Sequence, residues 1–185
     1  MKEYIIYNTK NKFKYEEVKL LVKVCGINLQ YRNEDIKELQ SSDFNQIIKH
    51  KLIEGFKRFG RPIIVDHTGL FIEALNGMPG PLTQLFWDKL KGDKICQIVT
   101  NLKNSKAIAK TIIGYCDGKK IHTFSGELEG EIACKPHGGI EFQWGTIFIP
   151  KNLSKTYSEL SIDEVNKFSH RSIAFKKFID FYNNI

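Results

Sequence analysis

Short apolar runs alternate with amphipathic helical segments over the first 65 residues, and this alternation constrains the fold more than any other feature. Residues 4–7 and 62–65 have the composition of β-strands, and a further short strand is predicted at 27–31. Residues 13–24 and 44–59 carry apolar side chains at helical spacing, and a glycine that favours helix termination follows each. The β-α-β-α-β order predicts an α/β layer architecture.

The rest of the chain continues to mix helices with strands. Helices are predicted at 82–90 and 93–101 and again after Ser169, and residues 107–129 predict a β-hairpin. A further strand is predicted at 147–149. Because no internal repeat or low-complexity linker interrupts this order, the whole chain is predicted to form one domain.

The composition is that of a globular protein that needs no crosslinks. With 185 residues, 42% of them hydrophobic, the chain is long enough to bury a core without disulfide bonds. The four cysteines lie far apart in the sequence, which predicts reduced thiols in a cytoplasmic protein. The N-terminal apolar run is too short for a signal peptide, and no stretch approaches the ~20 apolar residues of a membrane span.

The basic charge favours anionic partners such as nucleotides, nucleic acids or acidic proteins. The formal net charge is +7, with 28 Lys and Arg residues. These residues are spread over the whole chain, and many fall on predicted solvent-facing helix surfaces. Charge alone therefore does not predict a dedicated nucleic-acid site.

Polar side chains follow the predicted strands, at the end of an α/β sheet where ligands usually bind. Thr9, Asn11 and Lys14 place hydroxyl, amide and ammonium donors at a helix start, which suits a triphosphate. The same residues also fit an ordinary helix cap with surface lysines, and both interpretations stay open. Residues 66–69 follow the third strand, and residues 169–171 stand at another helix start, where a cap is again an alternative.

A series of short motifs runs in order along nearly the whole chain. They are Thr9-x-Asn11-x-x-Lys14-x-x-Glu17, Asp35-Ile36-Lys37-Glu38, a helical Lys51, residues 66–70 (DHTGL), 73–80 (EALNGMPG), Gly126, Gly130, Pro136 and Gly138, residues 142–148 (FQWGTIF), and 164–171 (EVNKFSHR). Together they resemble the motifs of the Ham1/inosine triphosphate pyrophosphatase family. One of these motifs would be a weak signal, but the ordered set is specific.

The resemblance implies a fold and an activity. The fold is an α/β domain with two lobes over residues 1–185, in which an elongated mixed sheet is flanked by helices and a central cleft holds the nucleotide. The activity is the hydrolysis of deaminated purine nucleoside triphosphates, such as ITP, dITP and XTP, to the monophosphate and pyrophosphate. The resemblance also implies Mg²⁺ as cofactor and a homodimer.

The resemblance assigns roles to individual residues as well. Arginine carries a fork of donors that suits the 6-keto oxygen of a deaminated purine, and it rejects the amino group of adenine. The implied metal ligands are Glu38 and Asp66. The implied substrate-binding residues include Thr9, Asn11, Lys14, Lys51 and Thr68. Around the base, Phe142 is implied to stack on it, Trp144 to line the pocket or lie in the core, and His170 and Arg171 to read its edge.

The chain departs from the family pattern around the reaction itself. His67 stands where the family has the second acid of E-D-[ST]-G, which holds the metal and activates water. Histidine can act as a base but is a poor ligand for Mg²⁺, which prefers oxygen. Asp66 cannot simply take its place, because adjacent strand residues point to opposite faces. Gly145 and Val165 also replace the family's Asp and Lys, which puts base recognition in question.

Three functional hypotheses follow from this pattern. The first is a catalytically impaired nucleotide sensor that acts with a partner protein, similar to the Ham1-like dITP-sensing subunit of Kongming-type antiphage defence systems. The alternative is an active pyrophosphatase in which His67, with Asp66 as a second catalytic candidate, serves as base while Glu38 holds Mg²⁺. A nucleic-acid module is the least expected, because the ordered motifs describe a mononucleotide site.

Overall fold

Strands run through the whole chain, and the first three are parallel. A computed structural model describes residues 4–184, apart from the side chains of residues 20, 140 and 141. The strands are β1 Ile5–Asn8, β2 Leu29–Arg32, β3 Ile63–Ile72, β4 Pro79–Gly80, β5 Lys106–Cys116, β6 Ile121–Ile132 and β7 Phe148–Pro150. Across residues 4–184 they form a seven-stranded mixed sheet in the order β2-β1-β3-β5-β6-β7, with β4 paired to β3. The predicted α/β class with a mixed sheet flanked by helices is confirmed.

Helices occupy the segments where apolar spacing predicts them. They are α1 Lys12–Val24, α2 Phe44–Phe59, α3 Thr83–Asn101, α4 Ile162–Phe168 and α5 His170–Tyr182, with short 3-10 segments at Glu73–Leu75, Ile140–Thr146 and Tyr157–Glu159. The two helices predicted at 82–90 and 93–101 meet in α3, where Lys91 has a non-helical backbone (φ 57°, ψ 176°). None of the helices within residues 4–184 is long and apolar enough to cross a membrane.

Helix α2 shows how local sequence signals set the ends of an element. The Asp43 side chain accepts a hydrogen bond from the Asn45 amide at 2.8 Å, which caps the N-terminus of the helix. Gly60 ends the helix in the left-handed conformation, with φ of 59°. The helix packs closely against β5 at Gly114, where an added Cβ would lie only 2.4 Å from the Ile48 side chain. This packing fixes the helix that carries Lys51.

The chain divides into two compact units. Unit 1 comprises the chain up to His67, Thr111–Gly126 and the chain from His170 onward. In unit 1, β1 pairs in parallel with β2 and β3, so that Tyr7 lies beside Tyr31 and Ile64. The core of unit 1 is built from buried residues of its strands, of α1 and α5 and of the loop before β2, namely Ile5, Tyr7, Val18, Val22, Ile27, Ile64, Ile113, Tyr115, Ala174, Phe175, Phe178 and Ile179.

Unit 2 has a separate core. It comprises Thr68–Lys110 and Glu127–Ser169. Within it β3 pairs antiparallel with β4, and β6 pairs antiparallel with β7. Its core residues are Leu70, Ile72, Ile95, Cys96, Val99, Ala107, Ala109, Ile132, Trp144, Ile147, Phe148, Tyr157 and Val165.

Candidate functional site

The carboxyl end of β1 leads directly into the capped start of α1. The Asn11 side-chain oxygen accepts hydrogen bonds from the amides of Phe13 and Lys14, at 2.9 and 3.4 Å. The Thr9 hydroxyl accepts from the Asn11 amide at 3.3 Å. Thr9 and Asn11 therefore act in this structure as the helix cap that the sequence left open as an alternative. Their contact with phosphate stays a prediction.

Lys14 leaves the first turn of α1 to meet Asp66 on β3. Its Nζ lies 2.9 Å from the Asp66 carboxylate, whose residue is only 1% exposed. Burial alone would raise the pKa of Asp66, but Lys14, Arg171 and Lys51 together hold it well below its usual range. Burial in turn lowers the pKa of Lys14. Asp66 is thus a buried carboxylate paired with cations, and its catalytic role stays a prediction.

Arg171 completes this buried charge cluster. The residue is fully buried, and its guanidinium donates a hydrogen bond to Glu17 of α1. Its Nε lies 3.5 Å from the Asp66 carboxylate. Glu17 belongs to the first of the ordered motifs, but the motif alone predicts no role for it. The available signal is its position three residues after Lys14, which places both side chains on one face of α1.

The predicted base readers do not face open space in this structure. His170 and Arg171 are both fully buried in unit 1. The guanidinium of Arg171 is directed at Glu17 and Asp66, because two buried carboxylates require a buried cation. The expectation that His170 and Arg171 read the edge of a purine base stays a prediction.

The buried His170 predicts a pH dependence of stability. Burial, followed by the charge of Arg171, lowers the pKa of His170 well below its usual value. The unfolded chain binds a proton here below about pH 6.5 while the folded chain does not, so stability is full above that pH and falls below it. We expect His170 to contribute up to about 1.4 kcal/mol of lost unfolding free energy per pH unit.

Urea denaturation between pH 7 and pH 5 measures this slope. His170→Gln is expected to remove the contribution, whereas His137→Gln, at an exposed histidine of unit 2, is expected to keep it. Equal slopes in the two variants would contradict the assignment.

Glu38 links Lys51 and His67 on the other side of β3. Lys51 Nζ lies 2.9 Å from Glu38 Oε2 and donates to the Asp66 carbonyl at 2.7 Å. His67 Nδ1 lies 3.4 Å from Glu38 Oε1, and its ring packs edge-on against Phe44. Burial alone would raise the pKa of Glu38. The hydrogen bond from His67 and the charge of Lys51 outweigh burial and hold this pKa well below its usual range. The structure therefore brings Glu38, Lys51 and His67 together, and their predicted roles stay predictions.

The arrangement of donors does not fit a magnesium site. Both oxygens of Glu38 face cationic or N–H groups, and the Asp66 carboxylate faces Lys14 and Arg171. Mg²⁺ requires near-octahedral oxygen ligands, and His67 offers nitrogen. Among the described side chains of residues 4–184, which do not include that of residue 141, no group of three His, Cys, Asp or Glu is placed to hold a metal ion. The expected pair of metal ligands, Glu38 and Asp66, is therefore not assembled here, because each carboxylate neutralises basic side chains.

The remaining predicted residues belong to unit 2. The Phe142 ring is nearly parallel to that of Tyr157, with centroids 4.9 Å apart. Trp144 is buried and packs edge-on against Phe148, so of its two predicted roles the core role is realised. A Cβ at Gly145 would lie 1.9 Å from the Phe142 ring, so an Asp at this position requires the ring to move. Thr68 is half-buried at the start of this unit.

Comparison with known proteins places this geometry in a family. The model of the Ham1 family matches residues 5–181. A dITP/XTP pyrophosphatase of Methanopyrus kandleri is 36% identical over 97% of this chain and 96% of its own length. One of Saccharolobus solfataricus is 35% identical over 94% of this chain and 90% of its own length.

Two solved structures share the fold. The Ham1 protein of Staphylococcus aureus superposes with a TM-score of 0.79 at 22% identity, covering 98% of this chain and 99% of that one. A HAM1 protein of Coxiella burnetii gives 0.78 at 23% identity, covering 99% of this chain and all of its own. The match of the family model, the two archaeal relatives and these folds agree along nearly the whole length, and the chain belongs to the Ham1 family.

Proposed function

We propose that this chain binds a deaminated purine nucleoside triphosphate of the dITP or XTP class and hydrolyses it to the monophosphate and pyrophosphate. The observation that carries the proposal is the convergence of Lys14 and Lys51 on Asp66, one through its carboxylate and one through its carbonyl. Two largely buried ammonium groups beside the start of α1 suit a polyanion. The names of the archaeal relatives support the substrate class and favour hydrolysis over sensing alone.

His67 is the base in the proposed reaction. The oxygen of a water molecule forms a bond to the α-phosphorus, the bond from that phosphorus to the oxygen bridging the β-phosphorus breaks, and pyrophosphate leaves. His67 takes the proton of the water through Nε2, since Nδ1 faces Glu38. Glu38 orients the ring, and the two lysines offset the charge that develops on the phosphates.

A nucleotide sensor is the second candidate, and the identity of residue 67 favours it. The family's acid is absent at this position, and the imidazole that replaces it is nearly buried against Glu38 and Phe44. A chain that binds the triphosphate but cleaves it slowly would report the nucleotide to a partner protein. A cytoplasmic homodimer with such an effector belongs to this second proposal, as does a role in antiphage defence.

Pyrophosphate release and calorimetry with dITP, XTP, ATP and GTP test both candidates. If the chain is an enzyme, pyrophosphate is released from dITP or XTP. His67→Asn keeps a donor toward Glu38 but has no base, and it is expected to lower the rate of release by about 100-fold or more. His137→Asn, at an exposed histidine, is the matched control and keeps the activity. Tight binding of dITP without release would replace the enzyme with the sensor. Failure to bind any of the four nucleotides would end both.

A further inference from the structure

The group formed by Lys51, Glu38 and His67 occupies the place where the family resemblance puts a divalent cation. We propose that this group replaces a metal ion held by the protein, so that the chain binds its nucleotide without a divalent cation of its own. The inference rests on the proposed function for the identity of the nucleotide. Its central claim concerns the protein by itself and can be tested without the nucleotide.

Both carboxylate oxygens of Glu38 already face a nitrogen donor. Lys51 Nζ lies 2.9 Å from one oxygen, and His67 Nδ1 lies 3.4 Å from the other. A divalent cation at this carboxylate would have to displace an ammonium group or lie against an imidazole N–H. Either arrangement opposes the cation electrostatically.

Lys51 is also held in place from a second direction. It donates to the Asp66 carbonyl at 2.7 Å, and its side chain is only 15% exposed. Moving the ammonium away from Glu38 would break this hydrogen bond as well, and would leave the Asp66 carbonyl without the donor. The lysine is therefore a fixed positive charge rather than a mobile surface group.

Asp66 does not provide a second carboxylate beside Glu38. The side chain of Asp66 points to the opposite face of β3, where Lys14 at 2.9 Å and Arg171 at 3.5 Å neutralise it. His67 stands where the resemblance implies the second oxygen ligand, and an imidazole is a poor donor to a hard cation. In place of a metal ion, Lys51 and Lys14 offer ammonium donors to a triphosphate, each paired in the free protein with the carboxylate of Glu38 or Asp66.

Titration of the nucleotide-free protein with Mn²⁺, followed by electron paramagnetic resonance, tests the claim directly. The natural chain is expected to leave the spectrum of free Mn²⁺ unchanged at millimolar concentrations of Mn²⁺. His67→Asp, which restores a carboxylate and frees Glu38 from the imidazole, is expected to bind Mn²⁺ at least tenfold more tightly. His67→Ala, which frees Glu38 without adding a carboxylate, is the control. A stoichiometric Mn²⁺ site in the natural chain that disappears in Glu38→Gln would overturn the inference.

Calorimetry with dITP separates this inference from the proposed function. In the natural chain the affinity in excess EDTA is expected to lie within threefold of that in Mg²⁺, whereas His67→Asp is expected to gain at least tenfold from Mg²⁺. Binding by the natural chain only in Mg²⁺ would overturn the inference and support the proposed function. Absence of binding in both conditions would overturn the proposed function, and the Mn²⁺ titration would still decide the inference.

Discussion

Replacing Arg171 by methionine is expected to lower the free energy of unfolding by about 3–5 kcal/mol. The guanidinium is fully buried, donates to Glu17 and lies 3.5 Å from Asp66. Methionine fills most of the volume but leaves two buried carboxylates with one fewer cation, and desolvated charges without partners are costly. Urea denaturation at pH 7 measures the change.

Two further variants identify the cause of this loss. Lys151→Met removes the cation of the exposed pair with Glu129, and it is expected to leave the free energy of unfolding nearly unchanged. Glu17→Gln in the Arg171→Met background is expected to recover part of the stability, because it removes one uncompensated charge. A loss below about 1 kcal/mol in Arg171→Met would contradict the ion-pair explanation.

Replacing Lys51 by methionine is expected to raise the Kd for dITP by about 10- to 150-fold, the equivalent of one charge-assisted hydrogen bond. The variant loses an ammonium group directed at Glu38 and at the Asp66 carbonyl, and it leaves the Glu38 carboxylate to repel the phosphates. Calorimetry measures the affinity.

The matched control lies on the same helix. Lys57 is an exposed residue of α2 paired with Glu54 three residues before it, and Lys57→Met is expected to leave the Kd unchanged. If both variants weakened binding equally, the effect would come from net charge rather than from the position of Lys51.

The sequence predicts the elements with local signals well. Apolar spacing, the Asp43 cap and Gly60 define α2 without reference to the rest of the chain. Strand β3 extends to Ile72, beyond the predicted end at residue 65. Residues 66–71 are polar or lack β-branching, so the local sequence gives only a weak strand signal there. Capping and periodicity act within a few residues, whereas strand length depends on neighbours that are distant in the sequence.

In the candidate site, too, local sequence signals are predictable and contacts between distant residues are not. The resemblance supplies the identities of Lys14, Lys51 and Glu38, and the structure brings each to β3. The pair formed by Arg171 and Glu17 joins residues 154 positions apart, and no spacing rule indicates it. The partners of a charged side chain depend on which faces of two helices meet, and this is decided by packing of the whole unit.

The basic side chains of the site are positioned by Asp66, which is buried and therefore does not appear on the molecular surface. Helices α1, α2 and α5 each direct one basic side chain at this residue, through Lys14, Lys51 and Arg171. With 1% of its surface exposed, Asp66 offers a ligand almost nothing to touch. Its carboxylate and its carbonyl hold the ammonium groups of Lys14 and Lys51 in place in the absence of a ligand. The positions of the two ammonium groups that we propose to hold the phosphates are thus set by a buried residue.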